Sequence, residues 1–276
     1  MAISNIAAAL LPLLAFLPGE SARNGDSVTL EIVPESSSIG PGRLFHLAVV
    51  LSIEKGWHVY WRDPGASGLA TAVEVTAPAG FVVKPARYAR PRAFEEPQGT
   101  VFGYEGEAVL LVPVEAPASL AEGATARFTV EATWLACREA CVLGGASATV
   151  DLAAGRPAPA SGRFAALAKR IPEPLSRLPG AAVRLDGTTL VVTGPAASAF
   201  RSATLFPEET PGATFGRPAG AVSEGTFTAR VDVKLSPRNA EGRPIVLRGV
   251  IALGDAPDDP GYEFELEVPA PPLEEE

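Results

Sequence analysis

Cysteine, histidine and methionine are scarce in this chain: two, two and one among 276 residues. Two cysteines and two histidines are too few for a structural zinc site of the usual spacing, and they leave one possible cysteine pair. Basic clusters are missing as well, and the net charge is −9. Together these exclude nucleic acid as the partner. No Gly-rich loop follows a strand and opens a helix, and no Ser/His/Asp set is spelled out, so phosphate-loop and serine-nucleophile chemistry find no support. Outside the extreme N-terminus there is no long uncharged apolar run, which excludes a multi-pass membrane protein. What is abundant is turn chemistry. Twenty-seven Gly and 27 Pro are far too many for a helix bundle, while 47% hydrophobic and 20% charged residues describe a chain that buries a core. At roughly 100–200 residues per domain, the length suits two modest domains.

Ile6 to Leu17 (IAAALLPLLAFL) is the length of a signal-peptide apolar region and too short to span a bilayer. Gly19 and Ser21 are small residues at −3 and −1 of a cut before Ala22, so residues 1–21 are expected to be a signal peptide. The segment ahead of the apolar run carries no Lys or Arg, and the competing reading is a buried N-terminal helix. An exported protein reaches a compartment where disulfides persist.

From Val28 onward the hydrophobic pattern has period two. Phe45, Leu47, Val49, Leu51 and Ile53 alternate with His46, Ala48, Val50 and Ser52, and Arg127 to Trp134 repeats the alternation. Val28–Val33, Trp57–Trp61, Thr71–Thr76, Ala108–Glu115 and Ser147–Leu152 are further strand candidates, punctuated by turns such as Asp63-Pro64-Gly65. Near Ala153 the texture changes. A Pro-rich linker leads to Ser161, a helix N-cap ahead of Phe164, Leu167, Ala168 and Ile171, and Pro172 and Pro174 stop that helix. Alternation then resumes at Ala229–Leu235 and at Tyr262–Val268. The expected fold is all-β: two antiparallel β-sandwiches joined by a short helical linker. The sandwiches fall at 24–155 and 181–268, the linker at 156–180, and a loose tail at 269–276.

Chemistry, if present, lies at Cys137 and Cys141 in WLACREAC, directly after the strand that ends at Trp134. In an extended strand, residues four apart are roughly 13 Å apart, beyond the roughly 4.4–6.8 Å Cα separation of a disulfide, so bonding requires the chain to turn here. A loop this small removes little entropy from the unfolded chain and makes a poor staple, whereas short loops are more often strained and easily reduced, which suits reversible exchange. A structural disulfide stands beside that reading. A third reading has Cys137, Cys141, His46 and His58 converging on Cu(I) or Zn(II), but His46 is on the polar face of its strand and nothing in the sequence brings the four together. No cofactor and no metal are expected.

Four pieces of the sequence resemble the N-terminal periplasmic domain of the DsbD thiol–disulfide reductases, and more closely the two-domain N-terminal region of their relatives in the suppressor-of-copper-sensitivity group. They are GWHVYWRDPGASGL (Gly56–Leu69), FGYEGEAVLLVPV (Phe102–Val114), WLACREACV (Trp134–Val142) and the helix-then-second-domain layout. The resemblance implies an immunoglobulin-like redox domain in which Cys137 and Cys141 cycle between dithiol and disulfide, with Cys141 forming the mixed disulfide. It matches Phe102 and Tyr104 to the loop that shields the cysteines. The Phe-Gly-Tyr order here departs from the Phe-Tyr-Gly of the best-known member. Full reductases continue into a membrane domain and a thioredoxin-like domain. The resemblance does not reach them, so the expected partners are a separate membrane-embedded electron conveyor and periplasmic thioredoxin-like proteins.

Other conspicuous residues read more plainly. Trp134 supports the pair, and Arg138 and Glu139 between the cysteines pull a thiolate in opposite directions. Trp57, Tyr60 and Trp61 read as packing aromatics, Asp63–Gly65 as a turn, and Glu95-Glu96 as a solvated acidic pair. The rival function is a non-enzymatic immunoglobulin-like binding module with a structural disulfide, linked to a partner or to copper.

Overall fold

A computed structural model describes residues 27–236 and 244–271. The expected signal peptide and residues 272–276 of the expected tail lie outside the described residues. Among these, no helix is long and apolar enough to cross a membrane. Strands account for most of the chain, in two sandwiches.

The first sandwich opens with β1 (Val28–Pro34), β2 (Ser38–Ile39), β3 (Leu44–Ile53) and β4 (His58–Gly65). The short strands β5 (Ala72–Thr76), β6 (Val82–Val83), β7 (Arg87–Tyr88) and β8 (Arg92–Glu96) follow. It closes with β9 (Gly99–Tyr104), β10 (Glu107–Glu115), β11 (Thr125–Cys137) and β12 (Cys141–Ala154). One sheet runs β1-β3-β10, with β6 and β7 along the far side of β10. The other runs β2-β12-β11-β4-β9-β8, with β5 also on β11. In β11 the alternation is strict: Phe128, Val130, Ala132, Trp134 and Ala136 point into the core, and Arg127, Thr129 and Glu131 point outward.

β3 departs from the expected single apolar face, because Ala48 and Val50 are as fully buried as Leu47 and Val49. Helix α1 (Gly162–Ala168) lies over that outer face and joins the same core through Phe164 and Leu167. Its N-cap is the expected one, with the Ser161 hydroxyl accepting from the Phe164 N–H at 3.1 Å. Asp63-Pro64-Gly65 is not a free turn. It is the irregular end of β4, where the register against β9 shifts and Gly65, at φ 80°, pairs with Val101.

The second sandwich begins with β13 (Glu173–Pro174), β14 (Ala182–Asp186), β15 (Thr189–Pro195) and β16 (Ala203–Pro207). It continues with β17 (Ala213–Phe215), β18 (Ala219–Ser223), β19 (Thr226–Leu235), β20 (Ile245–Leu253) and β21 (Gly261–Val268). One sheet runs β13-β21-β20-β16, and the other β14-β15-β19 with β17 and β18 on β19. Among the described residues, every pairing between these strands is antiparallel except the two-residue contacts β2–β12 and β13–β21.

The two sandwiches share apolar surface. Phe206 packs edge-on against Phe102 at 5.1 Å and against Trp61 at 6.3 Å between ring centres. With Val250 and Ala252 it belongs to the core of the first sandwich. Around this contact, Arg62 pairs with Glu208, the Glu209 N–H donates to Asp63, and Arg217 bonds Glu95 at 2.7 Å. Arg90 donates to the carbonyls of Gly254 and Ala256.

Candidate functional site

β11 and β12 form one long hairpin, and the cysteines close it. The chain reverses in three residues, Arg138, Glu139 and Ala140, so Cys137 and Cys141 face each other across the strands. They are joined by a disulfide with a Cα–Cα distance of 4.1 Å. This is the tight reversal that bonding required. The second strand starts at Cys141, six residues ahead of the expected Ser147, so the whole of WLACREAC belongs to the hairpin.

The two sulfurs sit in different surroundings. Cys137 is 3% exposed, in a small cluster with Tyr60, Val101, Phe94 and Leu135 on the outer face of the sheet. Cys141 is exposed. Of the pair, Cys141 is therefore the residue open to solvent and Cys137 the buried one.

Beneath Cys137 lies a polar network that the sequence reading missed. The Tyr60 hydroxyl is 3.2 Å from Cys137 Sγ and 3.2 Å from Glu96 Oε1. Ser67 donates to Glu96 Oε2 at 3.0 Å. His58 Nε2 lies 3.2 Å from Glu96 Oε1, close enough for an ion pair but without hydrogen-bond alignment. Burial raises the Tyr60 phenol to about 12, with the Glu96 carboxylate adding to the shift, so it keeps its proton at any physiological pH. Glu96 is thus no solvated acid, although Glu95 is exposed, paired with Arg217 and Thr100. Gly68, at φ 106°, lies flat on the Tyr60 ring, and a side chain there would collide with it. That gives the end of the Gly56–Leu69 segment a physical reason: it seats the ring.

The expected shield residues lie elsewhere. Along β9 side chains alternate, so Val101 faces the cysteines while Phe102 and Tyr104 point into the core. Phe102 packs on Trp61 and Phe206, and the fully buried Tyr104 hydroxyl donates to the Ala89 carbonyl at 2.7 Å. The aromatics beside the disulfide are Tyr60 and, on β8, Phe94, which is half-buried and stacked on the His58 ring at 5.1 Å. Period-two counting held the signal. In TVFGYE, residues two apart share a face, so Phe102 and Tyr104 could not both flank a site on the face of Val101.

The remaining residues divide between support and turn. Trp134 is buried beneath the hairpin with its indole against Gly144, where any side chain would collide with it. Trp61 belongs to the core, as expected. The Arg138 guanidinium lies over the Trp57 ring at 5.0 Å, and Glu139 is exposed in the turn. His46 is bonded to Glu35 at 2.7 Å. Among the described residues, no group of three or more His, Cys, Asp and Glu side chains is placed to hold a metal.

The family described as "Thiol:disulfide interchange protein DsbD, N-terminal" matches residues 31–152, and a "Domain of unknown function (DUF8393)" matches residues 170–248. No curated protein matches the chain. Among solved structures, the N-terminal periplasmic domain of ScsB from Proteus mirabilis aligns at a TM-score of 0.58 with 17% identity, covering 91% of this chain and 96% of its own. That likeness extends the fold over both sandwiches. The reduced DsbD N-terminal domain of Neisseria meningitidis aligns over 47% of this chain and 90% of its own, at 18% identity and a TM-score of 0.28.

Proposed function

We propose, from the match of residues 31–152 to the DsbD N-terminal family of thiol:disulfide interchange proteins, that Cys137–Cys141 is a reversible relay in the periplasm. It takes reducing equivalents from a membrane-embedded electron conveyor of the DsbD type and gives them to disulfides of thioredoxin-like proteins. The observation that carries this reading is the asymmetry of the pair: an exposed Cys141 bonded to a Cys137 buried against a phenol.

In reduction, a donor thiolate attacks Cys141 Sγ, the new S–S bond forms there, and the electron pair of the old bond leaves on Cys137. The Tyr60 hydroxyl is positioned to stabilise that thiolate by hydrogen bonding. The donor's second thiolate then attacks its own bonded sulfur and releases Cys141, leaving donor disulfide and domain dithiol. Delivery reverses the order: Cys141 attacks the target disulfide, and Cys137 resolves the mixed disulfide. Phe94 covers the buried sulfur against small oxidants, a role that Phe102 cannot take from inside the core.

A redox titration of the folded protein against glutathione or dithiothreitol buffers, read by alkylation and mass, tests this. A midpoint well above about −300 mV is expected, because structural disulfides usually lie below that value. A midpoint far below it makes the bond a staple and the protein a binding module.

A further inference from the structure

We propose that the outer edge of β12 beside Cys141 is a docking strand, on which a partner lays the extended segment that carries its own cysteine. The proposal rests on the exchange reading above and adds how the partner is held.

Among the described residues, β12 is paired along its whole length with β11, but on its other side only with β2, through Ala153 and Ala154. Among the described residues, no strand pairs with the outer edge from Cys141 to Leu152. The phase of the hairpin says which groups point there. Ala154 N–H donates inward to Ala124 and Ala153 N–H outward to Ser37. Counting back by twos, Val142, Gly144 and Ala146 bond β11, whereas Cys141, Leu143, Gly145 and Ser147 direct N–H and C=O away from it. The disulfide agrees with that phase, since its 4.1 Å Cα separation fits a non-hydrogen-bonded pair, for which roughly 4.5 Å is usual.

An unpaired edge carrying apolar side chains is a template for another strand, and proteins that do not use one cover it or charge it. This edge carries neither defence next to the sulfur. Leu143 is 72% exposed and Val142 53% exposed. Leu143 also shares the outer face with Cys141 and lies opposite Leu135, which packs by Cys137. Gly145 follows on the same face with no side chain to obstruct a neighbour. The reaction itself selects the occupant. A sulfur that bonds Cys141 brings its own backbone within two to four residues of the outward groups of Leu143 and Gly145, so the segment that fits is the extended stretch next to the partner's reactive cysteine.

The test uses the full chain with Cys137→Ala, converted at Cys141 to its glutathione adduct with oxidised glutathione, then equilibrated with a capped nonapeptide of alternating Thr and Val around one cysteine. The exchange conserves thiols and disulfides, so its equilibrium constant compares the two adducts directly. The peptide adduct is expected to be favoured by about tenfold, the worth of one or two net hydrogen bonds, with slowed amide exchange at Leu143 and Gly145 seen by NMR. Leu143→Pro removes one outward donor and none of the bonds to β11, and it should abolish the preference. Leu143→Ala keeps the donor and should retain most of it. Equal stability of the two adducts with unchanged Leu143 and Gly145 exchange overturns the docking strand while leaving exchange at Cys141 intact. Failure of both thiols to add to Cys141 overturns the exchange reading and the docking strand with it.

Discussion

Replacing Tyr60 by Phe deletes one hydroxyl at the point where the leaving thiolate forms. In the disulfide state the phenol proton has two acceptors at equal distance, Cys137 Sγ and Glu96 Oε1, both 3.2 Å away. A neutral disulfide sulfur is a weak acceptor, so the proton rests with the carboxylate. Once Cys137 carries charge the balance changes, because Glu96 keeps Ser67 as a donor and has His58 beside it. The phenol can then turn to sulfur. A hydrogen bond to a charged group is worth roughly 1.5–3 kcal/mol, so its loss should raise the Cys137 thiol pKa by about one to two units. If about half that charge has developed in the transition state, Tyr60→Phe slows reduction by dithiothreitol roughly 3- to 13-fold. Stopped-flow tryptophan fluorescence, with Trp57 and Trp134 on the hairpin's flanks, gives the rate, and the pH dependence of thiol alkylation gives the pKa. A rate within twofold of the parent, in a variant that melts normally, would show that the phenol does not assist the leaving sulfur.

The two aromatic candidates separate by what each substitution changes. Phe94→Ala should speed the reaction of the pair with small oxidants and reductants several-fold at little cost in stability, since the ring is only half-buried. Phe102→Ala should leave that rate alone and destabilise the fold by about 3–5 kcal/mol, and the reverse pattern in rate and melting data would restore Phe102 as the shield. Alkali supplies another check. Burial lifts the phenols of Tyr60, Tyr88 and Tyr104 above 10, Tyr60 to about 12, so the native state holds protons that the unfolded chain releases first. The stability tied to these protons is full below about pH 10 and is lost as pH rises toward 12. Thermal melts from pH 8 to 12 should show that decline, less steeply in Tyr60→Phe, and a flat profile would contradict buried phenols.

Much of the architecture was legible in period-two patterning. Phe128 to Trp134 alternate in the sequence and in the core, and Ser161 caps its helix as its position implied. Site geometry was legible only where it is local. Cys137 and Cys141 are four apart, so the need for a reversal between them follows from strand rise alone. The network beneath them is not local: Tyr60 is 77 residues from Cys137 and 36 from Glu96, and no spacing rule connects such distances. Tyr60 passed for packing because it is buried like any core aromatic, and its hydroxyl gives it the second role. Glu96 read as solvated because an acid beside a proline usually is. The β8–β9 pairing, on a β9 that itself pairs with β4, carries it under the disulfide instead.

The contact between the sandwiches limits how this chain can be divided. A fragment ending after β12 would keep the disulfide, Tyr60 and Phe94, yet lose Phe206 from the faces of Trp61 and Phe102. The same cut strips Arg62 of Glu208 and Arg90 of its two carbonyl acceptors. The freed surface is an aromatic patch ringed by guanidinium groups, an adhesive combination for acidic and aromatic surfaces alike. The first sandwich on its own is therefore expected to be less soluble than the whole chain, in which the second sandwich, which has no cysteine, covers this surface.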